Sequence, residues 1–167
     1  MKRKLCAIMS LAALLVTLLA GCGGKTKTAL TPEEFTEKIE AEGYDINPYF
    51  FTDGMPEGIE TAVSAVRNDG ARGFVFLDKN GKTVRVEYYL FENEKTAKAL
   101  FEDAMGEWEN QGWSREEKAG NNFTYCVLTG DGEVRVCARV GNTMIGCHSS
   151  EYLRDEMEAL MEKLGYK

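Results

Sequence analysis

Residues 31–167 predict an α+β domain: a helix plus three antiparallel strands used twice, closed by a C-terminal helix. Three observations carry that expectation. Helix-like segments end alike in Glu42-Gly43-Tyr44, Gln111-Gly112-Trp113 and Leu164-Gly165-Tyr166, where glycine takes a left-handed conformation and the following aromatic packs back on the last turn. Between those segments the apolar period switches from helical spacing to alternation. Turn signals recur at matching distances, since Asp69-Gly70 and Asp131-Gly132 lie 62 residues apart while glycines 43 and 112 lie 69 apart.

The elements follow in order. Thr31-Pro32-Glu33-Glu34 is a capping box with proline at the first helical position, and it opens a helix running to about Glu42. Residues 45–58, with Tyr49, Phe50, Phe51 and Met55, form a loop or a short edge strand. Residues 58–91 divide into three strands at Asn68-Asp69-Gly70 and Lys79-Asn80-Gly81. A second helix starts near Asn93 and carries Ala97, Leu100, Phe101, Ala104, Met105 and Trp108 at helical spacing. Residues 121–150 give three more strands, turned at Asp131-Gly132 and Gly141-Asn142. The last helix starts near Ser150 and buries Leu153, Met157, Leu160, Met161 and Leu164. Tyr44, Trp113 and Tyr166 read as staples, with a ligand-stacking role as the second reading of Trp113.

Alternation puts Val134, Val136, Ala138 and Val140 on one sheet face and Arg135, Cys137 and Arg139 on the other; Val84, Val86, Tyr88 and Leu90 repeat the pattern. Helices would cover the aliphatic face and leave the other partly wet. Arg85, Glu87, Tyr89, Arg135 and Arg139 on that wet face are the first candidate binding surface, and Tyr49, Phe50 and Phe51 are the second.

The N-terminus supplies an address. Lys2, Arg3 and Lys4 precede an apolar run from Leu5 to Leu19, the layout of a secretory signal. The run is shorter than the roughly 20 residues that a spanning helix needs. Its end, Leu19-Ala20-Gly21-Cys22, resembles the lipobox of bacterial lipoproteins. That resemblance implies cleavage between Gly21 and Cys22 and a diacylglyceryl group on the Cys22 thiol, which supplies the two chains that stable anchoring requires. Residues 1–21 are then signal, 22–30 a lipidated N-terminus and flexible tether, and 31–167 one domain. The place implied is the outer, extracytoplasmic face of the cell membrane.

Loss of Lys2, Arg3 and Lys4 with the signal moves the formal charge from −7 to −10 and leaves 146 residues, numbers 22–167. A body so acidic is repelled by nucleic acid phosphates, so no nucleic acid partner is expected. Beyond the lipobox, "TPEEFTEKIEAEGYDI", "ENEKTAKALFED", "VGNTMI" and "EMEALMEKLGY" resemble a family of small lipoproteins of Gram-positive gut bacteria. The resemblance supports the address and layout, and implies a role for one residue, Cys22.

Cys126, Cys137 and Cys147 stay in the folded body. With Asp131-Gly132 as a two-residue turn, Cys126 stands opposite Cys137 at a spacing that permits a disulfide; a three-residue loop would place it opposite Val136 instead. With Gly141-Asn142 as a two-residue turn, Cys147 faces Val136 on the core side. Cys147 and His148 suggest a thiol–base pair, but neighbours in a strand point to opposite faces. One histidine and no spaced cysteine pair give no metal site, "DKNGK" lacks the later ligands of a calcium loop, and no cofactor is implied. Two functions follow: a non-enzymatic module for an unknown protein, peptide or envelope ligand, or a thiol- or carboxylate-dependent envelope enzyme.

Overall fold

The structure is a computed structural model and describes residues 25–47, 57–68 and 83–167. Helix α1 (Pro32–Ala41) leads to strands β1 (Asp45–Ile46), β2 (Ile59–Asn68) and β3 (Thr83–Phe91). Helix α2 (Glu94–Asn110) leads to β4 (Ser114–Ala119), β5 (Phe123–Gly130), β6 (Glu133–Val140) and β7 (Thr143–Ser150). A single 3₁₀ turn then opens into α3 (Arg154–Lys163). The described strands form one antiparallel sheet in the order β1-β2-β3-β7-β6-β5-β4, so the class is α+β. α1 and α2 are each followed by an edge strand, and each half then meanders inward until β3 meets β7.

Local chemistry explains the ends. Thr31 Oγ1 accepts from the Glu34 N–H at 3.2 Å while the Glu34 carboxylate accepts from the Thr31 N–H at 2.8 Å, closing the capping box. Asn93 caps α2 through Oδ1, which accepts from the Thr96 N–H at 2.9 Å. Gly43, Gly112 and Gly165 have φ of 83°, 89° and 84°. Beyond them the N–H groups of Tyr44, Trp113 and Tyr166 reach the carbonyls of Ile39, Trp108 and Met161, and all three aromatics are buried. These are Schellman endings with the staples the sequence predicts.

Positive φ at both Asp131 (55°) and Gly132 (78°) gives a two-residue turn whose twist suits the flanking strands, and it sets Cys126 opposite Cys137. Gly141, at φ 55°, starts the next two-residue turn and sets Val136 opposite Cys147.

Four features differ from the sequence expectation. The segment SREEKA is a strand, β4, although five of its six residues are polar, because it lies at an edge where only its backbone needs a partner. Charge at such an edge discourages pairing with a second sheet. In the first half, β2 and β3 pair directly from Asn68↔Thr83 to Ile59↔Phe91, so no strand stands between them. The middle strand expected there, with the Asn68-Asp69-Gly70 and Lys79-Asn80-Gly81 turns, falls at 69–82, outside the described residues.

The sheet is also covered on both faces. α1 and α3 pack Phe35, Ile39, Met157, Leu160 and Met161 against Val84, Val86, Tyr88, Val134, Val136, Ala138, Val140 and Ile145. α2 crosses the opposite face and packs Phe101 and Met105 on Cys126, Leu128 and Cys137, while Leu100 turns outward. The face expected to be open is therefore largely roofed, since α2 has an apolar stripe of its own and must bury it.

The tether assignment for residues 22–30 changes as well. Asn122 offers its side-chain amide as a donor–acceptor pair to the Lys27 backbone, at 2.9 Å to the N–H and 2.8 Å to the carbonyl. The Lys25 carbonyl accepts from the Asn121 N–H at 3.2 Å, the Leu30 N–H donates to Tyr166 at 3.2 Å, and the Leu30 carbonyl accepts from the Tyr88 hydroxyl at 2.7 Å. Ala29 and Leu30 pack on the core. Residues 25–30 are thus a strap fastened to the domain. Gly21 and Cys22, where cleavage and lipidation are expected, and Tyr49, Phe50 and Phe51 lie outside the described residues.

Candidate functional site

Register builds a cationic row on the α2 side of the sheet. Arg85 on β3 stands opposite His148 on β7, and His148 stands opposite Arg135 on β6. Residues directly opposite have β carbons about 5 Å apart, so the three side chains are neighbours. Glu87 and Glu133 stand beside the two arginines, so the row gathers basic side chains next to two carboxylates. In the adjoining row Gly146 lies between Glu87 and Cys137, so the floor beside the cations has a missing side chain.

Arg135 is the centre of the site. Its guanidinium sits 3.8 Å from the Trp108 ring centroid and 5.7 Å from that of Trp113, and the two rings are 4.8 Å apart. Stacking of this kind holds a cation without neutralising it. Its Nε is buried with no hydrogen-bond partner among the described residues. Burial lowers its pKa from the ordinary arginine value, opposed by neighbouring acidic groups including Glu133 and Glu87. The two flanking carboxylates are each engaged elsewhere: Glu133 meets His148 Nε2 at 2.8 Å, and Glu87 accepts from the Tyr89 hydroxyl at 2.9 Å. Arg85 Nη1 is 3.8 Å from Glu87 and its side chain is about half exposed (48%).

The other members of the expected surface separate from this row. Arg139 is 4% exposed, and its Nη1 donates to the Gly141 carbonyl at 2.9 Å, to Glu94 at 3.1 Å and to the Asn122 carbonyl at 3.4 Å. It is a rivet between the start of α2 and two turns, and is corrected from binding surface to structure. Tyr89 is half-buried; burial, then Glu87, raises its hydroxyl pKa. It orients Glu87 and stacks on Phe91.

Cys126 and Cys137 face each other as the two-residue turn requires, and both are free thiols, so the disulfide that the spacing permits is not formed. Cys126 Sγ contacts Met105 Sδ at 3.5 Å under α2. Burial pushes Cys126 up to about 11 and Cys137 to about 12. Cys147 is buried in the opposite core, 3.7 Å from Met161 Sδ, and its pKa is also raised by burial. His148 lies across the sheet from it, as strand alternation dictates. Burial thus disfavours the thiolate at all three cysteines. Among the described residues no three His, Cys, Asp or Glu side chains are grouped to hold a metal ion.

Sequence reasoning had Arg85 and Arg135 but missed His148, Glu133 and Trp108 as their companions. The same Gly141-Asn142 turn that pairs Val136 with Cys147 also pairs Arg135 with His148, so that half of the row was available from register, while Arg85 joins it through the non-sequential β3–β7 pairing. That Trp108 would lie over Arg135 depends on where α2 docks, which no local signal states.

No family model and no curated protein matches the chain. Among solved structures, a GTP binding regulator from Thermotoga maritima is similar at 12% identity, over 86% of this chain and 94% of that one, with a TM-score of 0.44.

Proposed function

We propose that the chain is a lipoprotein of the small Gram-positive type it resembles, anchored through a diacylglyceryl group on Cys22 at the outer face of the cell membrane. Its domain binds, without catalysis, an acidic protein, peptide or envelope component at Arg85, His148 and Arg135. One observation supports the ligand class: Arg135 is half-buried and stacked on Trp108, with no hydrogen bond or ion pair among the described residues. A planar guanidinium held in that way is preorganised for a carboxylate or phosphate. In the same reading the two halves, each a helix ended by glycine and an aromatic and followed by a meander, are copies of one plan.

Crosslinking in intact cells followed by mass spectrometry tests the binding role. Partner recovery should fall at least tenfold for Arg135→Ala and for the charge reversal Arg85→Glu, a loss of about 1.4 kcal/mol or more. It should stay intact for Cys147→Ala. Turnover of an envelope substrate by purified protein, lost in Cys147→Ala, would overturn the reading. For the address, Cys22→Ser should release the protein or leave an uncleaved precursor; a processed variant that stays with membranes contradicts it.

A further inference from the structure

We infer that the lipidated domain is seated on the bilayer in one orientation, with the sheet end that carries the strap and the Asn121–Asn122 and Gly141–Asn142 turns resting on anionic lipid headgroups. The inference rests on lipidation at Cys22 and adds a surface and its partner, the lipid itself.

Chain length supplies the first argument. Lys25 is already hydrogen-bonded to Asn121 and Lys27 to Asn122, so three residue steps separate the anchored cysteine from the domain. Three residues reach at most about 11 Å even when fully extended. A strand of eight residues such as β5 is about 26 Å long, so the opposite turn, Asp131-Gly132, is carried well beyond that reach. A domain hung from a long coil would sample both ends equally; one fastened this close cannot.

Charge supplies the second. Lys25, Lys27 and Lys118 gather round the strap, and Lys27 is held over the Phe123 ring at 5.2 Å with Nζ donating to the Gly165 carbonyl at 3.1 Å. Burial, then Lys118 and Lys25, lowers the Lys27 pKa, against Glu162. Lysines at this end favour a surface of anionic lipid, each contributing about 1 kcal/mol near the headgroups, with Glu162 beside Lys27 opposing them. Arg135 lies five residues from Val140 along β6, about 17 Å above the seated end, where the row faces sideways along the membrane and not into it.

The test uses the full lipidated chain, isotope-labelled, in nanodiscs of phosphatidylglycerol and phosphatidylethanolamine with a spin label at the headgroup. Mass spectrometry of the same sample first reports whether Cys22 carries the diacylglyceryl group. With the lipid present, amide broadening at Gly120–Asn122 should exceed that at Asp131–Gly132 severalfold. A ten-residue Gly-Ser insertion between Gly24 and Lys25 leaves the strap contacts in place and should erase most of that contrast, since it adds about 17 Å of mean reach. Asn122→Ala, which removes two strap hydrogen bonds, should reduce it partly. Equal broadening of both turns in lipidated protein overturns the seating and leaves the anchor intact. A membrane-bound protein without the lipid overturns the anchor, and the seating with it.

Discussion

The two faces of the sheet solve the same problem with different chemistry. Beneath α1 and α3 the contact is aliphatic and aromatic, with Phe35 stacked on Tyr88 at 5.0 Å and the strand residues Val84, Val86, Val134 and Val136 fully buried. Beneath α2 the contact is smaller and more polar. Phe101 and Met105 share it with two thiols, and arginines at its borders are stacked on tryptophan or riveted to carbonyls. The first face is suited to holding the fold and the second to exposing fixed cations beside it. In the proposed reading, stability and recognition are separated across one sheet.

The sharpest way to break that division is to remove one fully buried ring from each side. Phe35→Ala should cost about 3–5 kcal/mol by urea denaturation. Phe101→Ala should fall at the lower end of that range, because methionine and cysteine neighbours rearrange into the space more readily than β-branched valines. A larger loss at Phe101 would mean that the α2 side is the structural one.

Next in size is Arg139→Met, which removes the Arg139 donor to the Gly141 carbonyl and the weaker of two donors to the Asn122 carbonyl, which keeps the Gly141 N–H at 2.8 Å. The expected cost is about 1–3 kcal/mol, most of it from the Gly141 acceptor, because Glu94 is more than half exposed and its ion pair is screened. Partner capture should not change. If capture fails in stable protein, Arg139 belongs to recognition after all.

The thiols give a pH test. Cys126 and Cys137 have folded values of about 11 and about 12, above the ordinary 9.0 of an unfolded thiol. The folded state therefore holds its protons more tightly. Their contribution is fully present below about pH 9, falls as pH rises, and is lost above the folded values. Cys126→Ala should flatten the decline in stability between pH 9 and 11 by up to one proton, about 1.4 kcal/mol per pH unit. An unchanged slope would show that the α2 roof opens to admit hydroxide before the chain unfolds.

The smallest expected effects lie in the helix caps. Thr31→Ala on α1 and Asn93→Ala on α2 should each cost about 1 kcal/mol. Equal losses would confirm that the two faces differ in their packing and not in how their helices start. A markedly larger loss at Asn93 would instead place the docking of α2 under the control of its cap.

Much of this molecule was legible in its sequence where the cause is local. Thr31 and Asn93 start helices because their side chains satisfy an N–H three residues on, and Gly43, Gly112 and Gly165 end them because a left-handed residue is needed there. Asp131-Gly132 and Gly141-Asn142 fix register by turn geometry, so the Cys126–Cys137 facing, the burial of Cys147 and the Arg135–His148 neighbourhood were all determined by a few residues. What the tertiary structure decided has no local cause. SREEKA is a strand only because β5 offers it an edge, and residues 25–30 are a strap only because Asn122 presents a matching amide about 95 residues away. The side of the sheet that α2 covers turned Arg139 from a surface cation into a buried rivet and set Trp108 over Arg135. Periodicity says that a helix has an apolar face; which surface buries that face depends on all the others competing for it.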